Sequence, residues 1–307
     1  MRGLYPADMV TNVVNDDGPP SPVSPYLAPL ITALNEAGHT TVVVIPDKPL
    51  SWIGKAHAVG KTLTAESRCP ASFRSDDANK TCSVPGCGET EDRTHRWLIV
   101  NGPPASCTQL GLFHTPDLSP QDFDLVVSGP NHGRNASTVY ALGSGTVGGA
   151  LEAAQCGRRA VALSFGSKDP QPPTTVRAAC VRAVKLVEEL ASEWHPHVEV
   201  YSVNVPMVAD VGEAPARLTK IAEGRWVTGG LFVPVLEDSA ADPEKKLAMS
   251  APASSSRTYR FRWAPQLGDI KRQAEESSEG EDLWASLNGV ISIAPLKASF
   301  TAVNVQE

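Results

Sequence analysis

Two consecutive carboxylates, Asp16 and Asp17, sit between Asn15 and Gly18 near the start of the chain. Side by side at the end of a strand they repel one another, and the arrangement costs free energy unless a cation or a proton lies between them. A hard divalent ion answers that cost: Mg2+ or Mn2+, with Ca2+ as a further candidate, takes oxygen ligands. Asp16, Asp17, the hydroxyl of Ser51 and the amide oxygen of Asn131 would form an open, all-oxygen shell completed by water. Asp-Asp-Gly is also the composition of an ordinary turn, so the pair alone leaves both readings open.

A second constellation is Gly143-Ser144-Gly145-Thr146-Val147-Gly148-Gly149. A glycine-rich helix start with two hydroxyls can accept a phosphate on its free N–H groups, aided by the positive end of the helix dipole. The same residues also suit a Ser or Thr helix cap with glycines that allow close packing. No Lys-Ser or Lys-Thr pair follows the glycines, and G-x-G-x-x-G is absent, which excludes a Walker A loop and a dinucleotide fingerprint.

These residues need a scaffold that brings them to one edge. Thr41 to Pro46, Asp124 to Gly129, Arg159 to Phe165 and Val198 to Val205 are apolar or β-branched runs. The first three lack alternation, the pattern of strands covered on both faces in a parallel sheet. A shorter strand is expected to end at Asn15, although Thr11 and Asn12 are polar for a central position. Leu27, Leu30, Ile31 and Leu34 follow helical spacing, with Gly38 as the stop. Val147, Ala150, Leu151 and Ala154 repeat that stripe, and a longer helix is expected from about Thr175 to Trp194. The expectation is an α/β fold whose mostly parallel sheet presents polar residues at the strands' carboxyl ends. Beyond Pro206 the alternation in Arg257 to Trp263 points to an antiparallel hairpin, and Gly289 to Pro295 to a last strand.

With 307 residues, 41% of them hydrophobic, and a formal net charge of −7, the chain is globular and lacks the broad basic footprint that nucleic acid or anionic membrane requires. Met1 to Val14 has no secretory core and no later run has a membrane span's length. Six cysteines, at 69, 82, 87, 107, 156 and 180, show no C-x-x-C pair. A reduced state and a cytoplasmic location are therefore expected, with the sequon Asn79-Lys80-Thr81 as the one contrary sign.

Taken in order, NDDG at 15–18, IPDKPLSW at 45–52, VNGPPASC at 100–107, SGPNHGRN at 128–135, GSGTVGGA at 143–150, YSVNVP at 201–206 and ISIAPL at 291–296 resemble the SurE family, metal-dependent phosphatases acting on nucleoside monophosphates. NDDGPPSP, SWIGKAH and FRWAPQLG look most like its fungal branch, in which the domain can precede a tubulin–tyrosine ligase domain. No ligase-like segment occurs in these 307 residues. The resemblance implies a single domain over 1–307 with a three-layer α/β/α, Rossmann-like core at about 8–206. A C-terminal hairpin arm and final strand would occupy about 207–300, and a polar insert 66–96. It implies metal ligands at Asp16, Asp17, Ser51 and Asn131, with Asp16, Asp17 and Asn131 in the catalytic role. Asn135, Ser144, Gly145 and Thr146 match its phosphate-facing segments, and the arm implies a homodimer or larger assembly.

The expected activity is hydrolysis of nucleoside 5′- or 3′-monophosphates, either by a metal-activated water or by direct attack of an Asp. A nucleotide-binding scaffold with little turnover is the alternative. His57 and His132 are weaker candidates for the proton donor, and Lys55, Arg134 and Trp52 for substrate contacts, each better accounted for by packing or solvation.

Overall fold

The chain enters its main sheet at Val10–Val14, strand β1 of a computed structural model that describes residues 8–73, 97–235 and 259–300. From β1 it passes through helix α1 (Leu27–Glu36) to strand β2 (Thr40–Pro46), which pairs parallel with β1. Strand β3 (Ala65–Arg68) lies antiparallel to β4 (Trp97–Val100) at the sheet's edge, and β4 runs parallel to β2. Helix α2 (Pro104–His114) then leads to β5 (Leu125–His132), on the other side of β1.

Helices α3 (Thr138–Gly143) and α4 (Gly145–Gln155) connect β5 to β6 (Ala160–Phe165), and α5 (Pro173–Ser192) connects β6 to β7 (Val200–Val205). The short β8 (Ala216–Leu218) and the last strand complete the order β3-β4-β2-β1-β5-β6-β7-last-β8. The order reverses direction at β1, so β1 and β5 flank a switch point where an open α/β sheet places its ligand crevice.

Alternation across the strands sorts the side chains into two layers. Leu125 and Val127 join Val13, Val43, Val161 and Leu163 beneath α1 and α5, where Leu27, Leu30, Ala179 and Ala183 pack. Val126 faces the opposite way with Ala160 and Ala162, against Leu112 of α2 and Val147, Ala150 and Ala153 of α4. The continuous apolar runs are therefore strands covered on both faces.

The polar residues of β1 have a local cause. Asn12 is fully buried against α2, where its Nδ2 lies 3.4 Å from the Thr108 carbonyl oxygen. A Cβ on Gly111 would come 2.4 Å from Asn12 Nδ2, so a residue without a side chain lets the helix approach the strand.

Contacts divide the chain into two compact units, Met1–Glu223 with Ser277–Glu307, and Gly224–Glu276. Residues 207–300, grouped in sequence as arm and final strand, are thus shared between them. In the larger unit, helix Asp282–Leu287 precedes the last strand, Ile291–Leu296, which lies antiparallel to β7 and parallel to β8. In the smaller unit, β9 (Phe232–Pro234) pairs antiparallel with β10 (Phe261–Trp263), the hairpin expected from the alternating run, and α6 (Gly268–Glu275) follows. With α6 and β10 named, the helix at 282–287 is α7 and the last strand β11. Arg257 and Thr258 lie outside the described residues.

Four local expectations change. The first strand ends at Val14, and β5 continues to His132 past a register shift between Ser128 and Asn131. The insert at 66–96 does not begin as a loop, because its first residues lie in β3; residues 74–96 are outside the described set. Cys69 is disulfide-bonded, contrary to the reduced state inferred from cysteine spacing, while Cys107, Cys156 and Cys180 are free thiols. Among the described residues no helix is long and apolar enough to cross a membrane.

Gly111→Ala tests the α2–β1 approach. Alanine in a helix would ordinarily add up to about 1 kcal/mol over glycine. Overpacking against Asn12 is expected instead to cost about 1–3 kcal/mol, read as a lower urea midpoint with an unchanged m-value. A raised midpoint would show that the approach is loose.

Candidate metal and phosphate site

The carboxyl ends of β1, β2 and β5 carry the residues that sequence singled out. Asn15, fully buried, shapes the turn after β1: its Nδ2 donates to the Gly18 carbonyl at 2.8 Å, and its Oδ1 accepts from Gly18 N at 3.2 Å. Gly18 takes φ +76°, and a Cβ there would stand 3.0 Å from the Lys48 backbone. The turn after β1 is thereby fitted against the loop after β2.

Asp16 is buried and faces the start of α4. Its Oδ1 accepts from the Thr146 hydroxyl at 2.7 Å and its Oδ2 from Thr146 N at 3.1 Å. Gly145 is what permits this: a Cβ there would lie 2.8 Å from Asp16 Cβ and 2.9 Å from Oδ2. Burial pushes the Asp16 carboxyl above the ordinary range, and the hydrogen bonds from Thr146 and Gly145 oppose the rise. Asp17, also buried, accepts from His132 N at 2.7 Å, which ties it to the end of β5. Burial first, and the neighbouring Asp16 second, raise its pKa to about 7, against the pull of the His132 amide and Lys168.

Asn131 sits one residue before that amide. Its Nδ2 donates to the Gly133 carbonyl at 2.6 Å, leaving Oδ1 as an acceptor. Ser51 is exposed, and the preceding residue, Leu50, donates its N–H to the Asp16 carbonyl at 2.7 Å. Asp16 and Asp17 are therefore bound directly to α4 and β5, whereas the loop of Ser51 is tied to Asp16 by the backbone bond of Leu50. Among the described residues no group of three or more His, Cys, Asp or Glu could hold a metal. The donor set is two carboxylates with neutral oxygens, and two adjacent carboxylates whose protonated forms are favoured by burial suit a hard divalent cation.

The phosphate-facing set is arranged differently from its sequence reading. All four leading N–H groups of α4 have partners: Gly145 and Thr146 bond Asp16, Val147 N donates to Ser144 Oγ at 3.1 Å, and Gly148 N to the Ser144 carbonyl at 2.9 Å. The positive end of this helix thus stabilises a protein carboxylate. The Thr146 hydroxyl has one hydrogen, already given to Asp16, so in this arrangement it cannot also donate to a phosphate. Ser144 caps the helix through its oxygen and keeps its hydroxyl hydrogen. Asn135, buried, donates from Nδ2 to Ser164 Oγ at 2.9 Å and from its N–H to Asn204 Oδ1 at 2.7 Å, with one amide hydrogen left over.

Other candidates find partners elsewhere. Lys55 Nζ and His57 Nε2 lie 2.5 and 3.3 Å from Glu152 Oε2, and His57 Nδ1 lies 3.0 Å from Ser106 Oγ. His132 Nδ1 lies 3.3 Å from the Val23 carbonyl oxygen, with its ring edge-on to Tyr26; burial lowers its pKa. Trp52 packs against Tyr140 and covers Gly143, where a Cβ would be 2.7 Å from its ring.

Lys168, which sequence did not single out, is exposed after β6, forms no salt bridge among the described residues, and runs its stem over Gly133. A lone lysine after a strand carries no spacing signal that could have found it.

The family model described as "Survival protein SurE" matches residues 12–228. The chain is 32% identical to the probable tubulin–tyrosine ligase PBY1 of Saccharomyces cerevisiae, an alignment that covers 95% of this chain and 41% of that protein's length. It is 29% identical to a 5′-nucleotidase SurE of Cytophaga hutchinsonii, over 94% of this chain and 91% of the relative. The crystal structure of the SurE protein from Aquifex aeolicus superposes with a TM-score of 0.63 at 24% identity, covering 95% and 94% of the two chains, a likeness of fold. With its strand-end aspartates fixed against β5 and α4 and the family model spanning most of its length, the chain belongs to the survival protein SurE family.

Proposed function

We propose that the chain is a divalent-metal-dependent phosphomonoesterase that hydrolyses nucleoside 5′- or 3′-monophosphates with Mg2+ or Mn2+. The carrying observation is the pair of buried, adjacent carboxylates at the switch point, each fixed by a hydrogen bond from a different element. Similarity to proteins named 5′-nucleotidase SurE supports the substrate class. Asp16, Asp17, Asn131 and Ser51 are the proposed ligands. When bound there, a divalent cation supplies positive charge to phosphoryl oxygens and acidifies a water near neutral pH.

The chain's own residues then have distinct tasks. Thr146 and Gly145 hold Asp16 in one orientation, and the His132 amide does the same for Asp17. The hydroxyl hydrogen of Ser144, the unused amide hydrogen of Asn135 and the ammonium of Lys168 are the proposed donors to phosphoryl oxygens. The hairpin of the smaller unit exposes Phe232, Phe261 and Trp263, and a second copy of the chain is its proposed partner.

A nucleotide-binding scaffold with negligible turnover is the second reading, favoured by the relative of which this chain spans 41%. Nucleotide binding without phosphate release under any divalent metal would select it.

Asp16→Asn is expected to lower Mn2+-dependent phosphate release from a nucleoside monophosphate on the order of 1,000-fold, equivalent to several kcal/mol. EDTA should abolish the wild-type rate. Undiminished hydrolysis in the variant would remove Asp16 from the site.

The second expectation concerns pH. Asp17 ionises near 3.8 when unperturbed and at about 7 in the metal-free fold, so between those values the folded state holds a proton that the unfolded chain has released. Its stabilising contribution is full at low pH and is lost as the pH rises through about 7. A cation needs the ionised form, so excess Mn2+ should raise Tm more at about pH 8 than at about pH 5.5. Equal gains at both would break the link between Asp17 and the metal.

A further inference from the structure

The larger unit contains a buried carboxylate that the proposed chemistry does not use. Glu152, on α4, is only 4% exposed, and its partners come from two other elements. Its Oε1 accepts from Gln109 Nε2 of α2 at 2.6 Å, while its Oε2 lies 2.5 Å from Lys55 Nζ and 3.3 Å from His57 Nε2. Burial pushes this carboxyl up, and Lys55, Gln109 and His57 together hold it below the ordinary carboxylate value, so it is ionised. Lys55 and His57 belong to the loop that carries Ser51.

That loop is fixed at three further points. Leu50 N bonds the Asp16 carbonyl at 2.7 Å, and Gly54 N bonds the Gly143 carbonyl at 2.9 Å. Gly148 lets the loop lie against α4, since a Cβ there would be 2.5 Å from the Gly54 carbonyl oxygen. Between the first two points, Trp52 adopts φ 62°, a left-handed conformation that a bulky residue takes only when its surroundings impose it. Ser51 precedes Trp52, and its exposed side chain depends on this backbone for its direction.

We infer that Glu152 is a positioning residue of the metal site, anchoring the Asp47–His57 loop through Lys55 and His57 so that the Ser51 hydroxyl stays at the carboxyl edge beside Asp16. The inference rests on the proposed ligand role of Ser51. A buried ion pair adds little to stability beyond what an apolar residue of the same size would give. What it adds is orientation: a loop docked on α4 by fixed polar partners cannot slide along the helix. Residues that orient a metal ligand typically change affinity by about 10–100-fold when replaced.

The test is a double-mutant cycle on Mn2+ affinity, measured by titration calorimetry on the full chain with no substrate present. Ser51→Ala and Glu152→Gln are each expected to weaken Mn2+ binding about tenfold, read well below the unfolding transition because Glu152→Gln leaves Lys55 without its partner and lowers the thermal midpoint. The pair together should be no weaker than Ser51→Ala alone, because an anchor has no effect once the group it positions is gone. Lys55→Gln breaks the same tether from the loop side and should reproduce the Glu152→Gln result, which keeps the test open if one variant folds poorly. Unchanged Mn2+ affinity in Glu152→Gln, or losses that multiply in the pair, would overturn the inference while leaving the metal site in place. A wild-type chain that binds no Mn2+ would overturn the metal reading, and this inference with it.

Discussion

Burial of two neighbouring carboxylates at the rim of the sheet is the constraint around which the rest of the larger unit is arranged. Each aspartate loses water on folding, and each is raised in pKa as a result. Desolvation of this kind is tolerated only where donors or a cation face the charge. The fold supplies donors asymmetrically: Asp16 receives the first turn of α4, and Asp17 receives one amide from β5. Asp17 is therefore the less satisfied of the two, and on the proposed metal reading the cation would stand on its side of the pair.

The glycines around α4 follow from the same constraint. Gly145 makes room for Asp16, Gly143 for the Trp52 ring and Gly148 for the loop backbone, while Gly149 clears Ser128 Oγ, which would lie 2.7 Å from a Cβ. A helix with side chains at these positions could not approach the strand ends or receive the loop after β2. The glycine-rich run thus serves close packing on three sides of one helix turn. Its leading amides face a carboxylate of the protein and its own cap, so on the proposed reading a phosphate would be met by side chains such as the Ser144 hydroxyl and not by those amides.

The parallel sheet and both main helical faces were legible in sequence because burial on two faces leaves an apolar run such as Val42–Ile45, and burial on one face leaves a stripe such as Leu27, Leu30 and Leu34. Helix α2 escaped because it has no such stripe. It lies between β1 and α4, its second proline stands at the first helical position, and Gly111 meets a polar strand residue. The place of the aspartates just past a strand was legible, whereas Asn131, expected after its strand, lies within β5. The role of Thr146 was not, since a hydroxyl at a helix start reads alike whether it meets a phosphate, an amide or a carboxylate. The first residues of the polar insert read as loop because β3 is an exposed edge strand, with no buried face to imprint a pattern.

Ser51 stands apart from the other ligand candidates, and the difference is physical. Asp16, Asp17 and Asn131 lie in or directly after strands whose neighbours are fixed by sheet hydrogen bonds. Ser51 lies in a connection that leaves the sheet after β2, and a connection has no ladder to hold its register. Precision must then come from tethers placed on either side of the residue, and the structure provides them: Leu50 to the Asp16 backbone before it, Gly54 to α3 and Lys55 to Glu152 after it. The helix that organises Asp16 through its first turn also holds the far end of this loop two turns later, at Glu152. One rigid element thereby carries the reference frame for both the most buried and the most exposed of the proposed ligands, and a shift of α4 against the sheet would move the two together.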